Sequence, residues 1–490
     1  MSIDVNGSKS DHVSFALAHP TVYHAVESAE RNIQAFSHFY LIFIKWILMA
    51  GLIGLVSGGL GALFRKSVTL ATEYGLIYHG FWLLPVGGVL IVVLYQILGM
   101  SSQTGTNQVI TAVREGIYRS HQLETEGKDA AGVSHQNRVD RSASGGTAVN
   151  SGSSDSGLLS EMASEPLSLR LAPAVFLGTV LTQFLGGSAG REGAALQIGG
   201  CIGLGIGRLF RFGGQEMSLM ILCGMSGVFA ALFGTPLTAA LFVLEVVSVG
   251  IFYYSRFVPC LISSLVAWKI SLLFGGRAIG ITLSAFPVLS FSMIFRLIIL
   301  AAFCALVSVI FCVSLEWAQK WSVRWIKNPC FRIMVGGTLL LGLTFFCGTT
   351  DYNGSGIPVI VQALHGQARA DAFFWKMLFT VVTIGLGFKG GEIIPAFFIG
   401  ATFGAMAGPF LDIEPGLAAA LAMTAVFCAA VNCPITSIIL SVELFGTDGL
   451  LFFAIVCGVS YILSGYYSLY HSQKFVYSKF RAEFVDIYAK

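Results

Sequence analysis

The sequence predicts an all-α polytopic membrane protein that contains two homologous repeats with many tilted and broken helices. Three observations lead to this fold class. Hydrophobic residues make up 55% of the 490 residues and charged residues only 11%, whereas soluble proteins carry about 25% charged residues. Long apolar runs recur along the chain, and the mean hydropathy of the whole sequence is +0.77. Several short motifs also occur twice, in the same order.

The apolar runs fall into two length classes. The longer runs reach or approach the roughly 20 residues with which an α-helix spans a bilayer, and they lie at 39–63, 81–98, 217–232, 237–254 and 293–313. The shorter runs predict broken or half-length helices, at 336–346, 373–386, 395–410, 417–431 and 450–463. Such helices are typical of channels and transporters rather than of simple membrane anchors. The 57 glycines favour the same fold, because glycine allows close contact between helices.

Polar segments divide the chain into parts. Residues 1–35 form a polar N-terminal segment without the pattern of a cleavable signal peptide. The first membrane repeat is 36–275 and the second is 276–472. A serine- and glycine-rich stretch at 120–165 interrupts the first repeat, and we interpret it as a flexible insertion, inert rather than regulatory, because such a composition cannot bury a core. The tail at 473–490 is mildly basic, which favours a cytoplasmic location.

The remaining composition argues against several classes of protein. The net charge of +3 is too small to indicate nucleic acid binding. The ten cysteines are scattered without metal-ligand spacing, so we expect neither a metal nor another cofactor. The nucleophile–base constellation of an intramembrane enzyme is not recognisable. A membrane scaffold is a further alternative, but it has little need of carboxylates at repeated positions within apolar segments.

The repeats are visible as three pairs of matching motifs. The pairs are Pro-Leu-Thr before Glu245 with Pro-Ile-Thr before Glu443, Glu192 with Glu392, and Val-Ile at 109–110 with Val-Ile at 359–360. Their offsets are 198, 200 and 250 residues, and the additional 50 residues of the last pair match the insertion. Internally repeated transporters often bind their substrate at the repeat interface, where discontinuous helices end. The sequence leaves open whether the repeats are parallel or inverted.

The most informative stretch places two ionisable residues between glycines, immediately before an apolar helix. It reads Gly-Ser-Ala-Gly-Arg-Glu-Gly-Ala at 187–194 and contains Arg191 and Glu192. A carboxylate inside a membrane is costly unless it is paired, wetted or protonated. A helix that begins here directs its positive dipole end and its free N–H groups at the site. Glu192 could therefore act as a tethered anion that protonation releases; an Arg–Glu pair that only stabilises the helix start is an equally weighted alternative.

The second repeat contains the same arrangement. Gly-Leu-Gly-Phe-Lys-Gly-Gly-Glu-Ile-Ile-Pro at 385–395 combines glycines, a cation and the carboxylate of Glu392 before a helix with proline in its first turn. An ordinary loop between two helices is the alternative, which the repetition makes less favourable. Two matched helix starts that face one site would form a desolvated anion cage.

Together these motifs resemble the CLC family of chloride channels and proton-coupled anion antiporters. Gly-Gly-Ser-Ala-Gly-Arg-Glu-Gly at 186–193 is similar to the family signature G-x-S-x-G-R-E-G, and the stretches at 233–245 and 430–443 are similar to two further landmarks. The resemblance covers about 36–472, apart from the insertion. It implies that Glu192 is the external gate. It also implies a homodimer with a separate anion pathway in each subunit, embedded as a multi-pass protein in a cell membrane, for which a bacterial inner membrane is the first choice.

Departures from the chloride-type pattern resemble the fluoride–proton antiporter branch. Gly-Thr-Asn-Gln-Val at 105–109 stands where many chloride-type members have Gly-Ser-Gly-Ile-Pro, and we interpret the Gly-Ser-Gly-Ile-Pro at 354–358 as its repeat partner. Val246 replaces the internal proton-transfer glutamate. The Gly-Gly-Glu-x-x-Pro motif implies that Glu392 takes part in transport. Ile394, often threonine in that branch, keeps a chloride channel or chloride–proton antiporter as the alternative.

The resemblance also implies a tyrosine hydroxyl that donates to the central anion. Tyr470 is our first choice and Tyr467 the second, and an interfacial aromatic belt is an equally weighted interpretation of either. For Glu245 and Glu443, helix capping or pairing at the membrane interface is favoured over a direct role in transport.

The predicted function is transmembrane anion transport, foremost proton-coupled antiport of a halide, namely fluoride, through a glutamate-gated pathway. Its partners are small anions, protons and the lipid bilayer. The predicted gating and proton-transfer residues are Glu192 and Glu392. The predicted anion-binding residues are Thr106, Asn107, Gly190, Arg191, Gly193, Gly391, Ile393, Ile394 and Tyr470.

Overall fold

The computed structural model describes residues 20–100, 105–117, 167–276, 283, 286–481 and 483–490. The predicted insertion at 120–165 and the first 19 residues lie outside this part of the chain. Within it, seven helical segments are long and apolar enough to cross a membrane, and six further apolar helices are shorter. The predicted all-α polytopic fold with broken helices is confirmed.

The first repeat comprises one very long helix followed by shorter ones. Helix α1 has 58 residues and runs continuously across residue 36, where the sequence predicts the membrane repeat to begin. The helices are α1 (Pro20–Ile77), α2 (Leu84–Ile97), α3 (106–117), α4 (Leu171–Phe184), α5 (Glu192–Leu209), α6 (Gly214–Phe233), α7 (Pro236–Glu245) and α8 (Tyr254–Leu273), with a 3-10 turn at Gly80–Leu83.

Among the described residues, the second repeat has as many α-helices as the first, although its 3-10 turn falls at a different place. The helices are α9 (Phe291–Trp325), α10 (Pro329–Cys347), α11 (Ile357–Leu364), α12 (Ala372–Gly385), α13 (Ile393–Ala407), α14 (Pro415–Val431), α15 (Pro434–Phe445) and α16 (Leu450–Leu463), with a 3-10 turn at Gly408–Leu411. Each helix from α9 onward therefore corresponds to the helix eight positions earlier.

The predicted C-terminal tail contributes two of the three strands of a small sheet, and the first repeat contributes the third. The strands are β1 (Ser248–Val249), β2 (Lys474–Tyr477) and β3 (Phe484–Tyr488). Strand β2 lies in the middle, parallel to β1 and antiparallel to β3. Because β1 follows α7, the sheet ties the end of the chain to the first repeat.

The helix breaks have the same local cause in both repeats. Helix α6 ends at Gly234 and helix α14 at Asn432, and both residues adopt the left-handed conformation, with φ of 73° and 57°. Two residues later, Pro236 and Pro434 begin the next helix. Glycine and asparagine tolerate this conformation, and proline suits a first helical turn because its missing N–H has no partner there.

Glycine allows one pair of helices in each repeat to pack almost backbone to backbone. A Cβ added at Gly199 of α5 would lie 2.3 Å from the carbonyl oxygen of Gly224 in α6. In the second repeat, a Cβ at Gly404 of α13 would lie 2.2 Å from the carbonyl oxygen of Ala418 in α14. These contacts hold α5 and α13, whose N-termini form the candidate site, in the centre of the molecule.

Two glutamates establish that the repeats are inverted. The Glu245 carboxylate at the end of α7 accepts the N–H groups of Ile435 and Thr436 at the start of α15, at 3.1 and 2.9 Å. In return, the Glu443 carboxylate of α15 accepts the N–H groups of Leu237 and Thr238 at the start of α7, at 3.0 and 2.9 Å. The two equivalent helices are therefore antiparallel, and each caps the other. The predicted capping role of both glutamates is confirmed.

Removing one of these caps should destabilise the protein. The change Glu245→Ala leaves two N–H groups at the start of α15 without their acceptors, which costs about 1–3 kcal/mol for each buried group. We expect the midpoint of thermal unfolding in detergent to fall, and Glu443→Ala to have a similar effect. Glu483→Ala, which removes a carboxylate with 63% of its side chain exposed, is the control. Equal midpoints for Glu245→Ala and Glu483→Ala would contradict the capping role.

Candidate functional site

The site lies where the loops before α5 and α13 meet. The N–H of Gly190 donates to the carbonyl oxygen of Gly391 at 2.7 Å, and the N–H of Gly391 donates to that of Gly190 at 2.9 Å. This isolated antiparallel bridge joins the two repeats directly. It brings the N-termini of α5 and α13 to one point, as the matched sequence motifs predict.

Glu192 occupies the junction of these two helix starts. Its side chain is completely buried, and its Oε1 accepts the N–H of Arg191 at 3.0 Å. The N–H groups of Glu192 itself and of Ile394, at the start of α13, also stabilise the carboxylate charge. Within the described residues, Oε2 is buried without a hydrogen-bond partner. The carboxylate thus occupies a position where helix dipoles and N–H groups favour an anion.

The glycines of both loops are needed to make room for this carboxylate. A Cβ at Gly190 would lie 2.1 Å from Oε2 of Glu192, and a Cβ at Gly391 would lie 2.4 Å from the same atom. A Cβ at Gly193 would lie 2.8 Å from Oγ1 of Thr106, at the start of α3. Any larger residue would therefore displace the carboxylate or the helix starts.

A first cavity, the Tyr470 cavity, has a volume of about 540 Å³. Its wall includes the predicted residues Thr106, Asn107, Glu392 and Tyr470. The Tyr470 hydroxyl and the Glu392 Oε2 are both buried and have no hydrogen-bond partner among the described residues. Four cations also line the cavity: Lys320, Arg324, Arg332 and Lys389. Glu316 also lines the cavity and pairs with Lys320. The free Tyr470 hydroxyl and the excess of cations over carboxylates suit a small anion.

A second cavity, the Arg191 cavity, has a volume of about 430 Å³. Arg191, Arg65 and Lys66 contribute its cations, whereas most of its wall is apolar and includes Ile394. The chain neighbours of Glu192 are divided between the two cavities, because Arg191 lines the Arg191 cavity and Ala194 lines the Tyr470 cavity. Glu192 itself is fully buried and lines neither. Glu192 is thus flanked in the chain by residues of both cavities.

A family model described as "Voltage gated chloride channel" matches residues 147–465. The chain belongs to the CLC family. This confirms the resemblance found in the sequence motifs, and it places the paired helix starts and the two cavities in a family of anion channels and exchangers.

Two curated relatives of this CLC protein differ in their extent of similarity. A "Chloride/fluoride channel protein" of Pseudomonas syringae pv. tomato is 30% identical over 451 residues, which cover 89% of this chain and 87% of the relative. An "H(+)/Cl(-) exchange transporter ClcA" of Vibrio cholerae serotype O1 is 29% identical over 290 residues, which cover 56% of this chain and 62% of that relative. The second match spans less than two thirds of the relative's length.

Solved structures support the same family assignment. A structure described as a CLC-type fluoride/proton antiporter superposes with a TM-score of 0.76 at 28% identity, and covers 89% of this chain and 99% of its own. A slow cyanobacterial Cl−/H+ antiporter superposes with a TM-score of 0.67 at 20% identity, over 86% of this chain and 94% of its own. The second likeness concerns the fold alone.

The structure of this CLC protein brings the predicted site residues together in three groups. Gly190, Glu192, Gly193, Gly391 and Ile393 form the junction of the helix starts. Thr106, Asn107, Glu392 and Tyr470 line the Tyr470 cavity, whereas Arg191 and Ile394 line the Arg191 cavity. Tyr467, the second choice for the donor hydroxyl, does not line either cavity, and its carbonyl oxygen accepts the side-chain N–H of Asn432 at 2.9 Å.

Lys376 is a candidate that the sequence interpretation missed. It lies within α12 and is fully buried. Its Nζ donates to the carbonyl oxygens of Tyr352 and Gly354, at 3.1 and 2.7 Å, and its charge interacts with that of Glu192. A lysine within an apolar helix is in itself a signal of a functional site. One and two turns further along α12, the hydroxyls of Thr380 and Thr383 contact Ser188 of the Glu192 loop.

Adding one methyl group at the junction should expose the buried carboxylate. In Gly391→Ala the new Cβ would lie 2.4 Å from Oε2 of Glu192 and 2.7 Å from the backbone nitrogen of Gly193, so we expect both the carboxylate and the start of α5 to move. Labelling of Glu192 by a water-soluble carbodiimide and an amine, followed by mass spectrometry, should rise severalfold. Gly342→Ala is the matched control, because no atom lies within 4 Å of its Cβ position. Identical labelling of both variants would refute this packing.

Proposed function

We propose that the protein exchanges a small anion for protons across a membrane, with fluoride as its first substrate, through a pathway gated by Glu192. One observation carries the proposal: a buried carboxylate occupies the joint N-terminus of two helices from opposite repeats, and its neighbours in the chain line two cavities that contain cations. The pathway runs from the Arg191 cavity to the Tyr470 cavity, past this carboxylate.

The charge of the Glu192 carboxylate determines whether an anion can pass. While it is ionised, the Glu192 carboxylate fills the place where N–H groups and helix dipoles favour a negative charge, and so excludes a mobile anion. Protonation removes the charge, and the N–H groups then bind an anion from either cavity in its stead. Proton arrival and anion entry are thereby linked at a single side chain. Arg191 is a positive charge that favours an anion at this place in both states, and Lys376 adds a second one when it is protonated.

Glu392 provides a second proton-binding group on the side of the Tyr470 cavity. Fluoride holds its hydration water strongly, so that a fluoride site needs dense hydrogen-bond donors. The hydroxyls of Thr106 and Tyr470 can donate, and so can a protonated Glu392. A proton carried by Glu392 would then accompany the anion through the Tyr470 cavity. The likeness to the CLC-type fluoride/proton antiporter supports this choice of substrate.

Chloride is the second candidate substrate, because a specific residue favours it. Ile394 presents a buried apolar side chain beside the junction, where the fluoride branch often has a threonine hydroxyl. A poorer supply of donors suits chloride, which is the less strongly hydrated halide. The names of the relatives from Pseudomonas and Vibrio also include chloride.

The likeness to the family also supports a proposal for the assembly and the location. We propose a homodimer in which each subunit contains its own pathway, because the junction and both cavities are built from one chain. The bacterial relatives favour the inner membrane of a bacterium as its location.

Ion efflux from reconstituted liposomes tests the proposal, with fluoride and chloride electrodes and pH recorded together. We expect fluoride efflux with opposed proton movement and little chloride efflux. Dominant chloride flux would instead indicate a chloride channel or a chloride–proton antiporter. The variant Glu192→Gln, which cannot ionise, should abolish coupled proton movement. Persistent proton coupling in this variant would refute gating by Glu192.

Removing the buried cation of α12 should weaken anion binding. A unit charge that acts over roughly 10 Å at an effective dielectric constant of about 20 changes the affinity for an anion by about tenfold. We therefore expect Lys376→Met to raise the KM of the transported anion by about this factor, and Lys376→Arg, which keeps the charge, to raise it less. An unchanged KM in Lys376→Met would assign Lys376 a structural role only.

A further inference from the structure

A second layer of residues lies behind the wall of the Tyr470 cavity. Asn107 lines the cavity, but its Oδ1 faces away from it and accepts two hydrogen bonds from Ser472. The backbone N–H of Ser472 donates at 3.2 Å and its hydroxyl at 2.8 Å. Ser472 is itself almost completely buried and is not part of the cavity wall.

These two bonds determine which way the amide of Asn107 points. A backbone N–H can only donate, so its partner on Asn107 must be the oxygen. The Nδ2 group therefore lies on the opposite side of the amide. Among the described residues, Nδ2 has no hydrogen-bond partner. It is also not one of the polar atoms that are buried without a partner, so it is accessible. Both hydrogen atoms of Nδ2 remain available to the Tyr470 cavity, in which the hydroxyl of Tyr470 also lacks a partner.

Helix α3 holds Ser472 from a second position. Arg114 lies seven residues after Asn107, two helical turns further on the same face, and its guanidinium donates to the carbonyl oxygen of Ser472 at 2.5 Å. Arg114 also lies over the ring of Tyr488 in β3, with 4.8 Å between Cζ and the ring centroid. The N–H, the hydroxyl and the carbonyl of Ser472 are thus all bound by α3, and the C-terminal sheet covers this contact.

We propose that Ser472 is a positioning residue, which fixes the side-chain amide of Asn107 so that its N–H groups point at an anion in the Tyr470 cavity. The inference rests on the proposed function and extends it: Asn107 and Tyr470 form a fixed pair of donors, and the C-terminal sheet keeps them in place. Of the two neighbouring residues Thr106 and Asn107, which are both predicted to bind the anion, Asn107 supplies the oriented amide.

The sharpest test is Asn107→Asp. Aspartate keeps an acceptor for both hydrogen bonds from Ser472 but replaces the N–H donors by a carboxylate oxygen. We expect the KM of the transported anion to rise more than tenfold, with the thermal unfolding midpoint nearly unchanged. Wild-type KM in Asn107→Asp would overturn the proposal, because a merely structural contact survives this substitution.

A double-mutant cycle tests whether Ser472 acts through Asn107. Ser472→Ala removes one of the two bonds and should raise the KM by about three- to tenfold, the effect of one neutral hydrogen bond, with little change in kcat. Ser472→Thr keeps the hydroxyl and should restore the KM. In an Asn107→Leu background, Ser472→Ala should have no additional effect. An additive effect in that background would overturn the inference.

The matched control is Ser478→Ala. Ser478 belongs to the same C-terminal region, and its hydroxyl accepts that of Tyr466 at 3.1 Å, but it contacts neither α3 nor the cavity wall. Its KM should equal that of the wild type.

A binding measurement distinguishes failure of the proposed function from failure of this inference. It records how fluoride and chloride shift the midpoint of thermal unfolding. A wild-type protein without any anion response overturns the proposed function and this inference together, whereas a wild-type response that Ser472→Ala leaves unchanged overturns only the inference.

Discussion

The structure depends on one electrostatic arrangement: a carboxylate that lies away from water at the joint N-terminus of two helices. A charge in this environment is stable only where fixed dipoles or partner charges replace its hydration shell. Here the N–H groups of Arg191, Glu192 and Ile394 and the ends of α5 and α13 supply the replacement. An environment that stabilises this carboxylate also stabilises a halide in its place, and this equivalence makes a glutamate suitable as a gate.

Inverted symmetry is what creates such an environment from a single repeated sequence. Two repeats that face each other across an antiparallel bridge at Gly190 and Gly391 necessarily direct equivalent helix N-termini at one point. The same symmetry lets Glu245 and Glu443 cap each other's helices. The glutamates of the repeated motifs therefore divide into two kinds. One pair satisfies backbone groups, and the other pair, Glu192 and Glu392, retains carboxylate oxygens without partners among the described residues.

The two sides of the junction are chemically different although the repeats are related. The Tyr470 cavity has hydroxyls, an amide and a carboxylate with unused hydrogen-bonding capacity, whereas the wall of the Arg191 cavity is mostly apolar. Part of the difference comes from the segment with Tyr470, which lines the Tyr470 cavity and not the Arg191 cavity. This segment returns to α3 through Arg114 and Asn107, so the end of the chain completes the site that the first repeat begins.

The sequence by itself determined the membrane character, the two repeats and the gating motif, because these properties depend on composition, on the length of apolar runs and on residues that are neighbours in the chain. Glu192 and Glu392 could be selected in this way, whereas Tyr470 was selected through the resemblance to the CLC family. Only the tertiary structure decided that the repeats are inverted, since motif spacing is the same for either arrangement. It also revealed Lys376 and Ser472, whose partners are 22 to 365 residues away in the chain. Contacts over such separations leave no periodic pattern, and only the folded chain brings the groups within hydrogen-bond distance.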